Sequence, residues 1–342
     1  MNAAVLNPTA RRVLENAAKG QAFHAYLVTG PKGSGKLDFA RTASAALLCT
    51  GEQKPCGKCG VCMMVRSGNH PDLITITTDG KSIKIGAIRT LLEELCRQSF
   101  LGGERTVVID GAEDMTTEAQ NCLLKTLEEP PSGTHFFLLA EYPEAMLPTI
   151  RSRCVHIRMT GMAEDALAAL LEAEGAGKEE ARLIARLSNG MPGQARTLLA
   201  DKNDEGRYWN IRKQAAQLVA SLKNYANIPK WEDCFKGYKD DREGAAYLLE
   251  CMNTLYRDML MLKTDAEALC INIDFKEKLG ETARRFTKEA LSDIIKMILL
   301  AQKQLKANVN YLLAADALLL SIAEVLNGKD NRRRAQRTQN TF

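Results

Sequence analysis

The stretch Gly30-Pro-Lys-Gly-Ser-Gly-Lys36 lies between an apolar run, Tyr26-Leu-Val-Thr29, and a stretch patterned as a helix, Lys36–Leu48. A glycine-rich turn that leaves a buried strand and opens a helix constrains the chain more than any other feature. The glycines let backbone N–H groups converge, and the helix N-terminus behind them favours negative charge. Such a loop suits phosphate held by Gly30, Pro31, Lys32, Gly33, Ser34, Gly35 and Lys36, with the Lys36 ammonium on the β and γ phosphates. The same turn with no ligand is the plain structural alternative.

Four further runs read as strands: Leu73-Ile-Thr-Ile-Thr77, Thr106-Val-Val-Ile-Asp110, Phe136-Phe-Leu-Leu-Ala140 and Val155-His-Ile-Arg-Met159. Three of the five runs are nearly continuous in apolar and β-branched residues, as strands buried on both faces of a parallel sheet should be. Helical patterns, notably Ile85–Cys96 and Thr116–Leu127, fall between them. This alternation predicts a doubly wound α/β domain over residues 1–160. Strand signals then stop. Ala163–Glu172, Lys178–Leu187 and Gly193–Leu199 predict a small helical domain over 161–205, broken by Gly161, Gly175 and Asn189-Gly190-Met191-Pro192. Long periodic stretches such as Ala245–Leu262 and Thr287–Lys306 predict a larger helical domain over 206–327.

Charge and composition narrow the classes. The formal surplus of +4 is accounted for by the tail over 328–342, where Lys329, Arg332, Arg333, Arg334 and Arg337 face one acid, Asp330. The body is therefore formally neutral, which weighs against a free-standing nucleic-acid-binding protein. The tail reads either as a phosphate-touching extension or as a solvated, disordered end. With 45% hydrophobic and 26% charged residues the chain can bury a full core. No apolar run of about 18 residues is present, and the start of the chain lacks a basic-then-apolar leader pattern. Ten cysteines without such a leader imply a reducing, cytoplasmic setting.

Four of those cysteines, Cys49, Cys56, Cys59 and Cys62, are spaced C-x₆-C-x₂-C-x₂-C with Gly57 and Gly60 between them. Overlapping C-x₂-C steps form tight knuckles that wrap thiolates around a tetrahedral Zn²⁺. Four sulfur ligands close the site, which predicts a structural role. Iron–sulfur ligation and a redox pair are the alternatives. Cys96, Cys122, Cys251 and Cys270 sit in helical patterns and read as small core residues.

The loop departs from a working nucleotide site. Leu37 stands where a Ser or Thr hydroxyl would hold Mg²⁺. Asp110, at the end of a buried strand, suits Mg²⁺ through water, or is simply a turn residue. The next position, where a carboxylate would orient the attacking water, is Gly111, and Glu113 is displaced by two residues. Arg151-Ser-Arg153-Cys154 precedes the last strand. An arginine there is either a surface charge or a planar fork presented to a neighbouring subunit's phosphate.

Together these residues resemble the bacterial clamp-loader branch of the AAA+ superfamily. The likeness rests on His24-Ala25-Tyr26, the four-cysteine insertion at 49–62 followed by His70-Pro71-Asp72, Ile88-Arg89, Asp110-Gly-Ala-Glu-Asp-Met115, Asn121-Cys-Leu-Leu-Lys-Thr-Leu-Glu-Glu-Pro-Pro131 and Arg151-Ser-Arg-Cys154. Tyr256-Arg257-Asp258 and Asn308-Val-Asn310 are similar to that family's collar. The resemblance implies a P-loop AAA+ domain with a zinc module, a helical lid and an all-α collar. It implies a five-subunit ring that opens the sliding β clamp on primer–template DNA. The implied partners are gamma/tau-type motor subunits and a clamp-opening delta subunit. Family motors carry a Ser/Thr, a carboxylate, a polar sensor and a lid arginine where this chain has Leu37, Gly111, Ala140 and Gly193. Arg153 remains. The combination implies a non-motor stator in which Arg153 acts in trans, while the loop binds ATP, ADP or phosphate without hydrolysis, or nothing. An ATP-hydrolysing motor subunit, a zinc-dependent nucleic-acid-binding module and a thiol redox switch are the rival readings.

Overall fold

The computed structural model describes residues 8–78, 82–97, 99–100, 103–203, 206–221, 228–306, 310–322 and 324–325. The basic tail expected at 328–342, and Asn308 and Val309 of the collar motif, lie outside them. The chain divides into two compact units, Met1–Leu167 with Asn189–Gln194, and Ala168–Ser188 with Ala195–Phe342.

The first unit is built on five parallel strands: β1 (Ala25–Thr29), β2 (Leu73–Thr77), β3 (Arg105–Asp110), β4 (Thr134–Ala140) and β5 (Val155–Arg158). Their order is β2-β3-β4-β1-β5. The three runs richest in apolar residues occupy the centre, where both faces are covered. Every residue of β4 is buried. At the edges the burial alternates, and in β5 only Ile157 is buried. An edge strand covered on one face has no use for a continuous apolar run.

Alternate residues face opposite layers. Tyr26, Val28, Val108, Phe137 and Leu139 pack against α1 (Pro8–Ala18), α2 (Lys36–Leu48) and α3 (Gly60–Ser67) through Val13, Phe39, Ala43 and Val65. Ala25, Leu27, Val107, Ile109, Phe136 and Leu138 pack against α4 (Ile85–Leu95) and α5 (Thr117–Glu128) through Ile88, Leu91, Leu123 and Leu127. The predicted doubly wound sheet is therefore present. The short α6 (Pro148–Arg151) returns the chain from the end of β4 to the start of β5.

Helices α7 (Glu164–Ala173), α8 (Lys178–Leu187) and α9 (Pro192–Asn203) lie within two residues of their predicted starts. The second unit continues with α10 (Arg207–Ser221), α11 (Ile228–Lys236), α12 (Arg242–Leu262), α13 (Lys276–Ala283), α14 (Lys288–Lys306) and a helix α15 over 311–322. Trp231, Phe235, Leu248, Met252, Tyr256 and Ile294 form its core. Arg212, 2% exposed, is held by Asp274 (2.5 and 2.7 Å) and Asn272 (3.1 Å) beneath the Phe275 ring. Among the described residues no helix is long and apolar enough to cross a membrane.

Candidate functional site

The four predicted metal ligands come together. Cys49 ends α2, Cys59 caps the start of α3 and Cys62 lies within its first turn. Their sulfurs and that of Cys56 all lie within 4.8 Å of one another. The Cys49–Cys59 and Cys56–Cys62 sulfur separations are 3.9 and 4.0 Å. A tetrahedron with Zn–S bonds of about 2.3 Å has edges of about 3.8 Å, so the spacing fits a tetrahedral metal. It is far from the roughly 2.05 Å of a disulfide, and all ten cysteines are free thiols. Backbone N–H groups of Gly51, Cys59 and Cys62 donate to the sulfurs of Cys49, Cys56 and Cys59 at 3.3–3.4 Å. Such donors favour thiolate, and those from Lys58 and Cys59 bring the Cys56 thiol down to about 6. Burial acts the other way on Cys62, pushing it up to about 12. A divalent cation among the four sulfurs would offset that desolvation.

The loop Gly30–Lys36 leaves the C-terminal end of β1 and opens α2, as its pattern requires. At Gly30 the backbone passes so close to β5 that a Cβ would stand 2.4 Å from the Met159 carbonyl. Gly33 and Gly35 have φ of +79° and +87°, a region that side chains disfavour. The Ser34 hydroxyl is buried and has no hydrogen-bond partner. Lys36 turns back on the loop, donating to the carbonyls of Gly30 (2.7 Å) and Pro31 (3.1 Å). Leu37 packs into the apolar layer of α1 and α2. The loop's Gly33 carbonyl accepts the amide of Gly193 at 2.9 Å. A Cβ on Gly193 would meet that carbonyl oxygen at 3.0 Å and the Gly33 Cα at 3.2 Å.

Three carboxylates act electrostatically on the Lys36 ammonium. Burial lowers its pKa, opposed by Glu141, Asp110 and Glu113. Asp110 is raised, first by burial and then by Glu113, with Lys36 pulling the other way. The structure therefore brings Lys36 and Asp110 into one charged cluster, although β4 separates their strands. Gly111 is left-handed, with φ of +78°, and a Cβ there would lie 2.7 Å from the Thr78 methyl. A side chain at that position would be strained by the backbone shape. Glu113 instead accepts the Glu141 amide at 2.6 Å, tying itself to the end of β4.

Arg153 lies elsewhere. It precedes β5, whose first residue pairs with Tyr26 of β1, whereas the phosphate loop follows the last residue of β1. The two are therefore at opposite ends of the strands, separated by the five-residue length of β1, about 17 Å. Arg153 donates through Nη1 to the Thr149 carbonyl (2.8 Å) and the Ser152 hydroxyl (3.4 Å), and its Nη2 is ion-paired with Glu128.

Reading the sequence assigned no role to Glu128, Glu141 or the Gly193 amide. For Glu128 a signal existed, because a carboxylate at the last residue of a helix opposes the helix dipole. Gly193 stood out only as the position of a missing lid arginine, and Glu141 carried no signal, since their contacts join distant segments.

Comparison with known proteins places these features in context. Residues 6–163 match the family model described as DNA polymerase III, delta subunit, and residues 207–324 match DNA polymerase III, delta subunit, C terminal. The chain is 32% identical over 327 residues to DNA polymerase III subunit delta' of Bacillus subtilis, covering 93% of this chain and 97% of that one. To the delta' subunit of Escherichia coli it is 31% identical, covering 94% and 95%. Against DNA polymerase III subunit tau/gamma of Haemophilus influenzae it is 28% identical, covering 84% of this chain but 39% of that one.

Proposed function

The chain belongs to the DNA polymerase III subunit delta' family, and from that premise we propose that it is a stator that lends Arg153 to a neighbouring motor's ATP. In this reading residues 1–160 are an AAA+ domain, 161–205 its lid and 206–327 the collar that joins the ring. The partners are gamma/tau motor subunits, the clamp-opening delta subunit, the β sliding clamp and primer–template DNA.

One observation carries the role of Arg153. Standing about a strand length from its own phosphate loop, it has no route to a phosphate held there, so any phosphate it serves must come from another subunit. The loop itself supports the same reading. Lys36 donates to loop carbonyls, Leu37 is half-buried against the layer of α1 and α2, and a side chain at Gly111 would be strained. Gly30–Lys36 with Asp110 is therefore a relic that retains at most a phosphate or nucleotide without turnover. The four cysteines hold a structural Zn²⁺, which supplies cross-linking and no chemistry to ATP.

The deciding experiment reconstitutes the loader and replaces Arg153 with alanine. An arginine finger contributes about 10³–10⁵ in rate in GTPases. Clamp- and DNA-stimulated ATPase should therefore fall by at least tenfold while the ring still assembles. Unchanged ATPase would remove the assignment, and vigorous ATP cleavage by the isolated chain would favour a motor.

A further inference from the structure

We infer that Glu128 is the positioning residue of Arg153, holding the guanidinium in the orientation in which it meets an incoming phosphate. The inference rests on the trans-acting role proposed for Arg153 and names the part of the fold that serves it.

Glu128 is the last residue of α5, where a carboxylate faces the negative end of the helix dipole. The position is unfavourable for an acid on its own account. Its charge is answered by Arg153, just after α6, whose Nη2 pairs with the Glu128 carboxylate. The other nitrogen of the fork donates to Thr149 and Ser152 on and after α6. A planar guanidinium gripped from two separate elements has few orientations left. These contacts engage up to three of its five N–H donors, so two stay free for a phosphate oxygen.

The two elements are themselves held together. Gln120 of α5, 4% exposed, donates to the Met115 carbonyl at 3.0 Å and accepts the Leu147 amide, at the start of α6, at 2.7 Å. The Glu128 carboxylate and the Thr149 carbonyl are thus set by one rigid frame. The side chains of Arg153 and Glu128 are 34% and 48% exposed, and ion pairs that open to water add little stability. What the pair supplies is order. An arginine has much rotameric freedom, and a side chain already ordered gives up less of it on reaching phosphate.

The test uses the reconstituted loader with full-length chain carrying Glu128→Gln, Glu128→Asp, Arg153→Ala or Glu128→Gln with Arg153→Ala. Glu128→Gln should lower the stimulated kcat by about tenfold, leaving KM for ATP, ring assembly and the thermal midpoint of the isolated chain unchanged. Glu128→Asp should recover most of the loss, and Glu128→Gln should add nothing to Arg153→Ala. Wild-type kcat in Glu128→Gln beside a depressed Arg153→Ala would overturn the positioning role and leave the stator reading standing. A kcat above wild type, or an effect that persists without Arg153, would overturn it as well. No effect of Arg153→Ala would instead remove the reading on which it rests.

Discussion

The amide of Gly193 donates to the carbonyl of Gly33 across 2.9 Å, closing the outer side of the phosphate loop with the chain's own backbone. Gly193 has no side chain, and this lets the two backbones touch. An arginine at 193 is therefore not expected to be accommodated. Gly193→Arg puts a Cβ against the Gly33 carbonyl and Cα, and overpacking of this kind costs about 1–3 kcal/mol. The thermal midpoint should fall by several degrees, and the variant should gain no ATP cleavage over the parent chain. A variant as stable as the parent that cleaves ATP would contradict the closed loop.

Asp110 should be a site where removing charge stabilises. Its pKa is raised because burial, then Glu113, disfavour the carboxylate, and Lys36 only partly offsets them. A carboxyl that holds its proton more tightly folded than unfolded lowers stability above its folded pKa, and the penalty vanishes below its unfolded value. Asp110→Asn should accordingly raise the thermal midpoint at pH 7 by roughly 1–3 °C, with the difference closing below about pH 4. A lower midpoint at pH 7 would show that Asp110 is held by attraction instead.

The four-cysteine cluster should carry one zinc per chain, measured by elemental analysis of purified protein. Cys59→Ala removes both a ligand and the acceptor of the Cys62 amide. It should lose the metal, lower the thermal midpoint and speed amide exchange across residues 49–68. Metal retained at full stoichiometry in the variant, or iron in place of zinc, would refute the assignment.

In the second unit, stability is expected to hinge on Arg212. The guanidinium is buried between Asp274, Asn272 and the Phe275 ring, 4.4 Å from its centroid. Arg212→Ala leaves Asn272 and Asp274 without their donor, at a cost of about 3 kcal/mol, the low end for a broken buried pair because Asp274 keeps access to water. Urea unfolding that reports on Trp231 should show the loss directly. A change below about 0.5 kcal/mol, the range of ordinary surface substitutions, would mean the pair contributes nothing.

Local patterns carried much of the fold. The strand runs were legible because burial on both faces requires continuous apolar residues, and Lys178–Leu187 was legible as a helix from its periodicity. Helix α1, Pro8–Ala18, left no prediction; its apolar residues are mostly alanine, which marks a buried face weakly. The cysteine site was legible because its spacing is itself local geometry. The arginine was legible only as a motif: Arg153 reads alike as surface charge or finger until its distance from the loop is known.

By itself the sequence determined an α/β unit with a phosphate-type loop, a thiolate cage and a helical remainder, because periods of 2 and 3.6 and the knuckle spacing act between residues close in the chain. The tertiary structure alone decided that β4 lies between the strands of Lys36 and Asp110 and that Gly193 closes over Gly33. It also set Arg153 at the opposite end of the strands from the loop, in the grip of Glu128. Those relations join segments 25 to 160 residues apart. Strand order and backbone packing set them, and neither leaves a mark on local sequence.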